Sequence, residues 1–367
     1  MRVVVLLSPA KTLNWATSPA SLAELWSQPK LLQAADPVVE VMRRKKKADL
    51  KKLMSISDNI ANLNVERFKK FLGSSEVEKM STAVDLVADV ARPAALAFDG
   101  PAYRGMDAAT FSEEDWAFGA RSVRLLSGLY GVLRPTDLIQ PYRLEMGSRR
   151  VAVAGMKDLY EYWKGDIAQC ILEDIQGEGS VKSGTDEFLV VNVASQEYSK
   201  AVDFEQLESA GGKVVTCVFK DDGRVLSVFA KRARGLLARH VVVNRAKDVA
   251  DLESFSAEGY RLDRSQCGDG LLVFTRSKAQ RAVPAKPTMA AKTQAKPKGK
   301  AKAKAEAAPE AKVPSTAARG KRAAAGAGAG AAKKKATTAT GASTTSGKRG
   351  APSAGGKRGS KAKSNKT

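Results

Sequence analysis

The chain begins Met1-Arg2-Val3-Val4-Val5-Leu6-Leu7-Ser8-Pro9-Ala10-Lys11-Thr12. The continuous apolar run over residues 3–7 reads as a buried strand, and a proline-containing loop follows it at once. A strand end in an α/β domain is where ligand groups gather, and Lys11 stands at that mouth. Its readings are a point charge for phosphate, a nucleophile or base once desolvated, or a turn lysine facing water.

Working outward, residues 29–72 turn helical, with Leu31, Leu32, Val38, Val41, Met42, Leu50, Leu53, Met54, Ile60, Leu63 and Phe68 at mixed three- and four-residue spacings. Ser57 or Asp58 is the expected N-cap of the later part. Residues 94–98 read as a short strand ending in Asp99-Gly100-Pro101. Ser112-Glu113-Glu114-Asp115 starts a helix that leads to a strand over 123–126, and 157–175 is an amphipathic helix. Later come a strand at 187–193, a hairpin of 214–219 with 224–229 around Asp221-Asp222-Gly223, a helix from about Lys231, and a last strand at 270–274. This irregular alternation predicts one compact α/β (mixed α+β) domain over residues 1–276, with a mixed sheet and surrounding helices.

Charge divides the 367 residues differently. The whole chain has 61 Lys+Arg against 39 Asp+Glu, a net +22, yet residues 277–367 hold 23 of the bases and only 2 of the acids. The body is therefore within one charge of neutral. The tail is rich in Ala, Lys, Gly, Pro, Ser and Thr and has no aromatic residue, a composition that predicts disorder. Its composition resembles the tails of linker histones and histone-like bacterial proteins. Such a tail binds nucleic acid by counterion release, or simply solubilises the chain.

Several classes drop out. No run approaches the ~18 apolar residues of a membrane span, and the N-terminal stretch is too short for a secretory segment. Three scattered cysteines, Cys170, Cys217 and Cys267, and one histidine, His240, support neither a disulfide framework nor a metal centre, so no metal and no cofactor is expected in a reducing cytoplasm. Neither Gly-x-x-x-x-Gly-Lys-Ser/Thr nor Gly-x-Gly-x-x-Gly occurs.

The densest motif runs Leu125-Leu126-Ser127-Gly128-Leu129-Tyr130-Gly131-Val132-Leu133-Arg134-Pro135 and on to Ile139-Gln140-Pro141-Tyr142-Arg143-Leu144-Glu145-Met146-Gly147. Gly128 and Gly131 permit close backbone approach to a ligand. Arg143 and Glu145 point the same way on an extended chain, as an anion fork with an acid/base or as a bracing ion pair. Asn192 and Ser195 follow a strand, where they meet a ligand or Ser195 caps the next helix; Glu197 and Tyr198 are candidates by location. In Lys231-Arg232-Ala233-Arg234-Gly235-Leu236-Leu237-Ala238-Arg239-His240, Lys231 and Arg234 share one side of a helix, as ligand groups or a solvated face. Gly235 admits a backbone or a phosphate, and His240 reads as a packed core residue.

Together these motifs, with Ser8-Pro9-Ala10-Lys11-Thr12-Leu13, Asn192-Val193-Ala194-Ser195-Gln196-Glu197-Tyr198 and Gly259-Tyr260, resemble the signatures of the YaaA peroxide-stress-resistance family. The resemblance covers nearly all of residues 1–276. It implies a cytoplasmic protein of unusual α/β fold, with a cationic cleft and a helix-hairpin-helix element, that binds DNA in the response to hydrogen peroxide and keeps available iron low. The hairpin is expected at Lys47-Ala48-Asp49 or within 125–134. The expected cleft comprises Lys11, Arg134, Arg143, Lys231, Arg234 and Arg239, with Ser8, Thr12, Tyr130, Asn192 and Ser195 completing the DNA- and phosphate-contacting set. The alternative is an enzyme acting on a nucleotide or damaged base, with Lys11 as nucleophile or base and Glu145 as acid/base. The expected partner is DNA, with no membrane, for a monomer that is nucleoid-associated in a bacterium and nuclear or organellar in a eukaryote.

Overall fold

Val3, Val4, Val5, Leu6 and Leu7 are all buried, and they form β1 (Arg2–Leu7) in the interior of a seven-stranded sheet. Five consecutive buried residues require cover on both sheet faces, as expected of a parallel strand. The computed structural model describes residues 1–16, 20–80, 90–149, 151–177 and 187–281. The remaining strands are β2 (Thr12–Leu13), β3 (Arg92–Pro93), β4 (Phe98–Asp99), β5 (Val123–Ser127), β6 (Gly131–Leu133), β7 (Leu138–Ile139), β8 (Phe188–Asn192), β9 (Gly212–Asp221), β10 (Arg261–Leu262) and β11 (Leu271–Arg276).

The large sheet runs β10-β11-β9-β8-β1-β5-β6. Its five inner strands are mutually parallel, with Val3 opposite Leu189, Val5 opposite Val123 and Cys217 opposite Leu272. The two edge strands are antiparallel and short. Helices Glu113–Ser122 and Ser227–Val243 touch each other and β1, while Leu159–Gln176 and Phe204–Ser209 touch each other and pack at β6 and β9. The fold is thus a mixed α/β sheet with helices around it, as the alternation of patterns predicts.

The helical stretch resolves into α1 (Leu32–Arg43), α2 (Lys47–Met54) and α3 (Asp58–Lys70). Ser57 does cap α3, its hydroxyl accepting from the Ile60 amide, and Ser112 caps Glu113–Ser122 by accepting from Asp115. Neither passage singled out for the helical hairpin forms one. Lys47-Ala48-Asp49 is the first turn of α2, and 125–134 is a β-hairpin of β5 with β6. Short turns join α1 to α2 through Arg44-Lys45-Lys46, directly before the first of those passages, and α2 to α3 through Ser55-Ile56-Ser57, where Ser55 takes a left-handed φ of 52°.

Two strand expectations are corrected. Residues 94–97 are a helical turn, Ala94–Ala97, because alanine and leucine favour helix and Pro93 stands before it; only Phe98 and Asp99 pair as strand. The turn Asp221-Asp222-Gly223 does form, with positive φ at Asp222 and Gly223 and a single bridge from Asp221 to Arg224. No second strand follows it. β11 already occupies that side of β9, so the chain turns into helix Ser227–Val243 and leaves Val225 and Val228 exposed.

The body also extends past residue 276. Lys278–Gln280 makes a short turn whose Lys278 amide donates to Asp222, and Arg281 Nε donates to Asp221 Oδ1 at 2.7 Å. Residues 282–367 of the expected tail lie outside the described residues. Among the described residues, no helix is long and apolar enough to cross a membrane.

Candidate functional site

Because β1, β5 and β8 are parallel, the loops after Leu7, Ser127 and Asn192 emerge on one margin of the sheet. The chain passes from β1 to β5 on one side and later places β8 on the other, a topological switch point of the kind that opens a crevice. There the Ser195 amide donates to Ser8 Oγ at 2.8 Å, and Ser8 Oγ donates to Ser195 Oγ at 3.2 Å. Tyr103 OH donates to the Ser8 carbonyl at 3.2 Å, and Thr12 pairs with Asp99 through β2 and β4. Lys11 therefore sits on a loop pinned at both ends. Ser195 takes the N-cap position of Gln196–Ser199 but makes no capping bond, its hydroxyl being turned to Ser8.

A hollow of about 320 Å³ opens at this junction, lined by Ser8, Lys11, Thr12, Tyr103, Lys231 and Arg234 among others. Lys11 and Glu197 are shared with a second hollow of about 620 Å³, which Lys45, Lys52 and Arg149 also line. A small recess beside Lys11 reaches Arg143 and Glu145. In this continuous cleft eight basic side chains face four acidic ones, Asp49, Asp99, Glu145 and Glu197. The cleft is thus cationic inside a body that is nearly neutral.

The charges are unevenly paired. One oxygen of the buried Glu145 serves two cations, Arg143 Nε at 3.0 Å and Lys11 Nζ at 3.4 Å. Arg104 is neutralised by Asp99 at 2.6 Å. Glu197 accepts the Gly147 amide at 3.2 Å. Lys231 and Arg234, one turn apart on helix Ser227–Val243, have no hydrogen bond or ion pair among the described residues. Burial pushes the Arg234 guanidinium pKa down, and its Nε is enclosed without a partner. A half-buried arginine with no partner among the described residues can offer its terminal amino groups to an anion.

That helix is held in place by missing side chains. A Cβ at Gly235 would stand 1.7 Å from the Ala102 carbonyl, and one at Gly105 would stand 2.3 Å from the Arg232 carbonyl. The two glycines bring Ser227–Val243 hard against Pro101–Met106, so Gly235 admits a protein backbone rather than a phosphate. Gly128 behaves alike, since its Cβ would meet the Leu144 carbonyl at 2.6 Å.

Other sequence candidates lie apart from this cleft. Arg134 is bound by Asp137, with Nε to Oδ1 at 3.0 Å, and by the Gln28 carbonyl, next to Lys30, Arg124 and Asp174. Arg239 donates to the Met106 and Asp107 carbonyls and to Thr110, and lies over the Phe111 ring. Tyr130 is buried, its hydroxyl accepting from the Gln140 amide. Asn192 turns inward to the Ala194 amide and Thr216. His240 is packed edge-on against Phe255, with its ring nitrogens on the Asp251 carbonyl and Asn244. Tyr103, Lys45, Lys52 and Arg149 also line the cleft, though no sequence motif marks them; the one local signal near Tyr103 is Pro101, which opens helix Pro101–Met106.

Burial raises the Cys170 and Cys217 thiols to about 11 and about 12. Among the described residues no group of three or more His, Cys, Asp and Glu is placed to hold a metal ion.

Residues 3–266 match the family model of the peroxide stress protein YaaA. A UPF0246 protein of Shewanella baltica (strain OS195) is 38% identical over 280 residues, which span 75% of this chain and 100% of the relative.

Proposed function

This chain belongs to the family of the peroxide stress protein YaaA, and from that premise we propose that it binds DNA in the oxidative-stress response, protecting it while available iron is kept low. The observation that carries the reading is the convergence of Lys11, Arg143, Lys231 and Arg234 on one cleft at the switch point of the sheet. Lys45, between α1 and α2, and Lys52, on α2, extend the cationic lining toward the α2–α3 turn. With one histidine and three dispersed cysteines the chain is a poor chelator, so the effect on iron is indirect. The tail adds sequence-independent affinity.

The test is the salt dependence of duplex binding by the full chain and by a chain ending after Arg281, the last described residue. If the shortened protein binds no DNA at low salt, the cleft is not the binding part.

A second reading is favoured by the Lys11–Glu145 pair at 3.4 Å beside a small pocket. In it, the neutral Lys11 amine attacks C1′ of a damaged nucleotide, the bond to the base breaks, Glu145 passes the proton lost by Lys11 to the departing base, and sugar-ring opening leaves an imine on Lys11. Borohydride trapping of a covalent adduct on Lys11 supports this; a fully competent Lys11→Ala protein ends it.

A further inference from the structure

The two hollows of the cleft differ in kind. The larger is rimmed by the half-buried Lys45 and the exposed Lys52 and Arg149, an arrangement suited to a phosphate backbone. The smaller joins a wall of Pro9, Ala10, Pro101, Ala102, Tyr103 and Tyr198 to the paired positions Lys231 and Arg234. At about 320 Å³ it stands at the lower end of small-ligand pockets, which run from about 300 to 1,000 Å³. Such a space takes one compact organic group with one anionic end. A duplex enters it only by turning a single nucleotide out of the stack.

Within this pocket the carboxylates are already engaged, Asp99 by Arg104 and Glu197 by the Gly147 amide. Lys231 and Arg234 are the cations left over. They stand at i and i+3 on a helix fixed by the Gly235–Ala102 contact, so both ammonium and guanidinium project to the same side. An arginine fork beside a lysine point charge is a recurrent way to hold phosphate. The apolar wall next to it, with two tyrosines that are each about nine-tenths or more enclosed, suits a planar base.

We infer that the smaller hollow binds one nucleoside 5′-phosphate unit, free or still part of a strand, with the phosphate on Arg234 and Lys231 and the base against Tyr103 and Tyr198. The choice of a nucleotide over other phosphorylated ligands rests on the nucleic-acid reading above; the phosphate end of the pocket does not.

The experiment titrates the full chain with thymidine 5′-phosphate, with thymidine and with inorganic phosphate by calorimetry, for the native protein, Arg234→Gln and Lys231→Gln. The tail is the same in all three, so differences belong to the pocket. The 5′-phosphate should bind about tenfold more tightly than thymidine or phosphate alone, and Arg234→Gln should remove about that factor. Lys231→Gln, at an exposed position, supplies the comparison if Arg234→Gln melts early. Equal affinity of native protein and both variants overturns the inference, whatever happens with DNA. Monophosphate binding that depends on Arg234, in a protein that binds no duplex, keeps the pocket and removes the DNA reading. Displacement of labelled monophosphate by a duplex with one unpaired thymidine, but not by a matched duplex, makes the strand the source; displacement by neither makes it the free nucleotide.

Discussion

Gly235 and Ala102 are in backbone contact across two helices, so close that a methyl group at 235 would lie 1.7 Å from the Ala102 carbonyl oxygen. In an exposed helix, Gly→Ala is stabilising by up to ~1 kcal/mol. Here the sign reverses. Gly235→Ala should cost ~3 kcal/mol or more through overpacking, and should weaken anion binding by lifting Lys231 and Arg234 off the pocket wall. Thermal melting together with phosphate-dependent binding checks both effects; an unchanged or higher Tm would contradict the contact.

Lys11 is 65% exposed while its partner Glu145 is enclosed. An exposed ion pair contributes little to stability, so Lys11→Ala should leave the melting temperature nearly unchanged. If it faces phosphate, the same variant should flatten the slope of log affinity against log salt by about 1. Glu145→Gln has the opposite sign, because it removes a negative charge between two cations, and it should tighten binding at low salt. Binding isotherms over a salt series read both.

Asp221 carries the acid sensitivity of the C-terminal edge. Burial alone would raise its carboxyl, but hydrogen bonds from Arg281 and Arg276, with their charge, outweigh it and hold the group below the usual carboxylate value. An acid with a depressed folded pKa is protonated more readily when unfolded. Its contribution is complete above the unfolded value of about 3.9 and fades as the pH falls through the folded one. Asp221→Asn should therefore melt several degrees below the native protein at neutral pH, with the gap closing below pH ~4. Thermal unfolding across pH 2–7 measures it.

Cys170 and Cys217 should resist alkylation. They are buried, and their thiols are raised to about 11 and about 12, which leaves almost no thiolate at neutral pH. Cys267 is part-exposed and should react first. Mass spectrometry after iodoacetamide, with and without denaturant, should find one modified cysteine in the native chain and three in the unfolded one.

What could be read from the sequence was local. β1 announces itself by five apolar residues, and α3 and Glu113–Ser122 by the serines that cap them. The hairpin after β9 was misread although its turn chemistry was sound, because the partner of β9 is β11, about fifty residues further on (Cys217 opposite Leu272), and no local signal reports that choice. The arginines show the same limit. Arg134, Arg234 and Arg239 look equivalent in motifs, yet of the three only Arg234 lacks a partner among the described residues. Asp137, three residues after Arg134, hinted at its pairing; nothing near Arg239 signals that Met106, Asp107 and Thr110 will take its donors.

The antiparallel edge strands have a consequence for how molecules meet. The inner strands are apolar enough to recruit neighbours if laid bare, but the borders are β6, three residues long, and β10, two. Open backbone on a sheet border is what seeds strand-to-strand association between chains, and these stubs offer hardly a rung of it. Crowded copies of this chain can therefore lie side by side without their sheets fusing, and clumping would first demand that one of these short borders peel away.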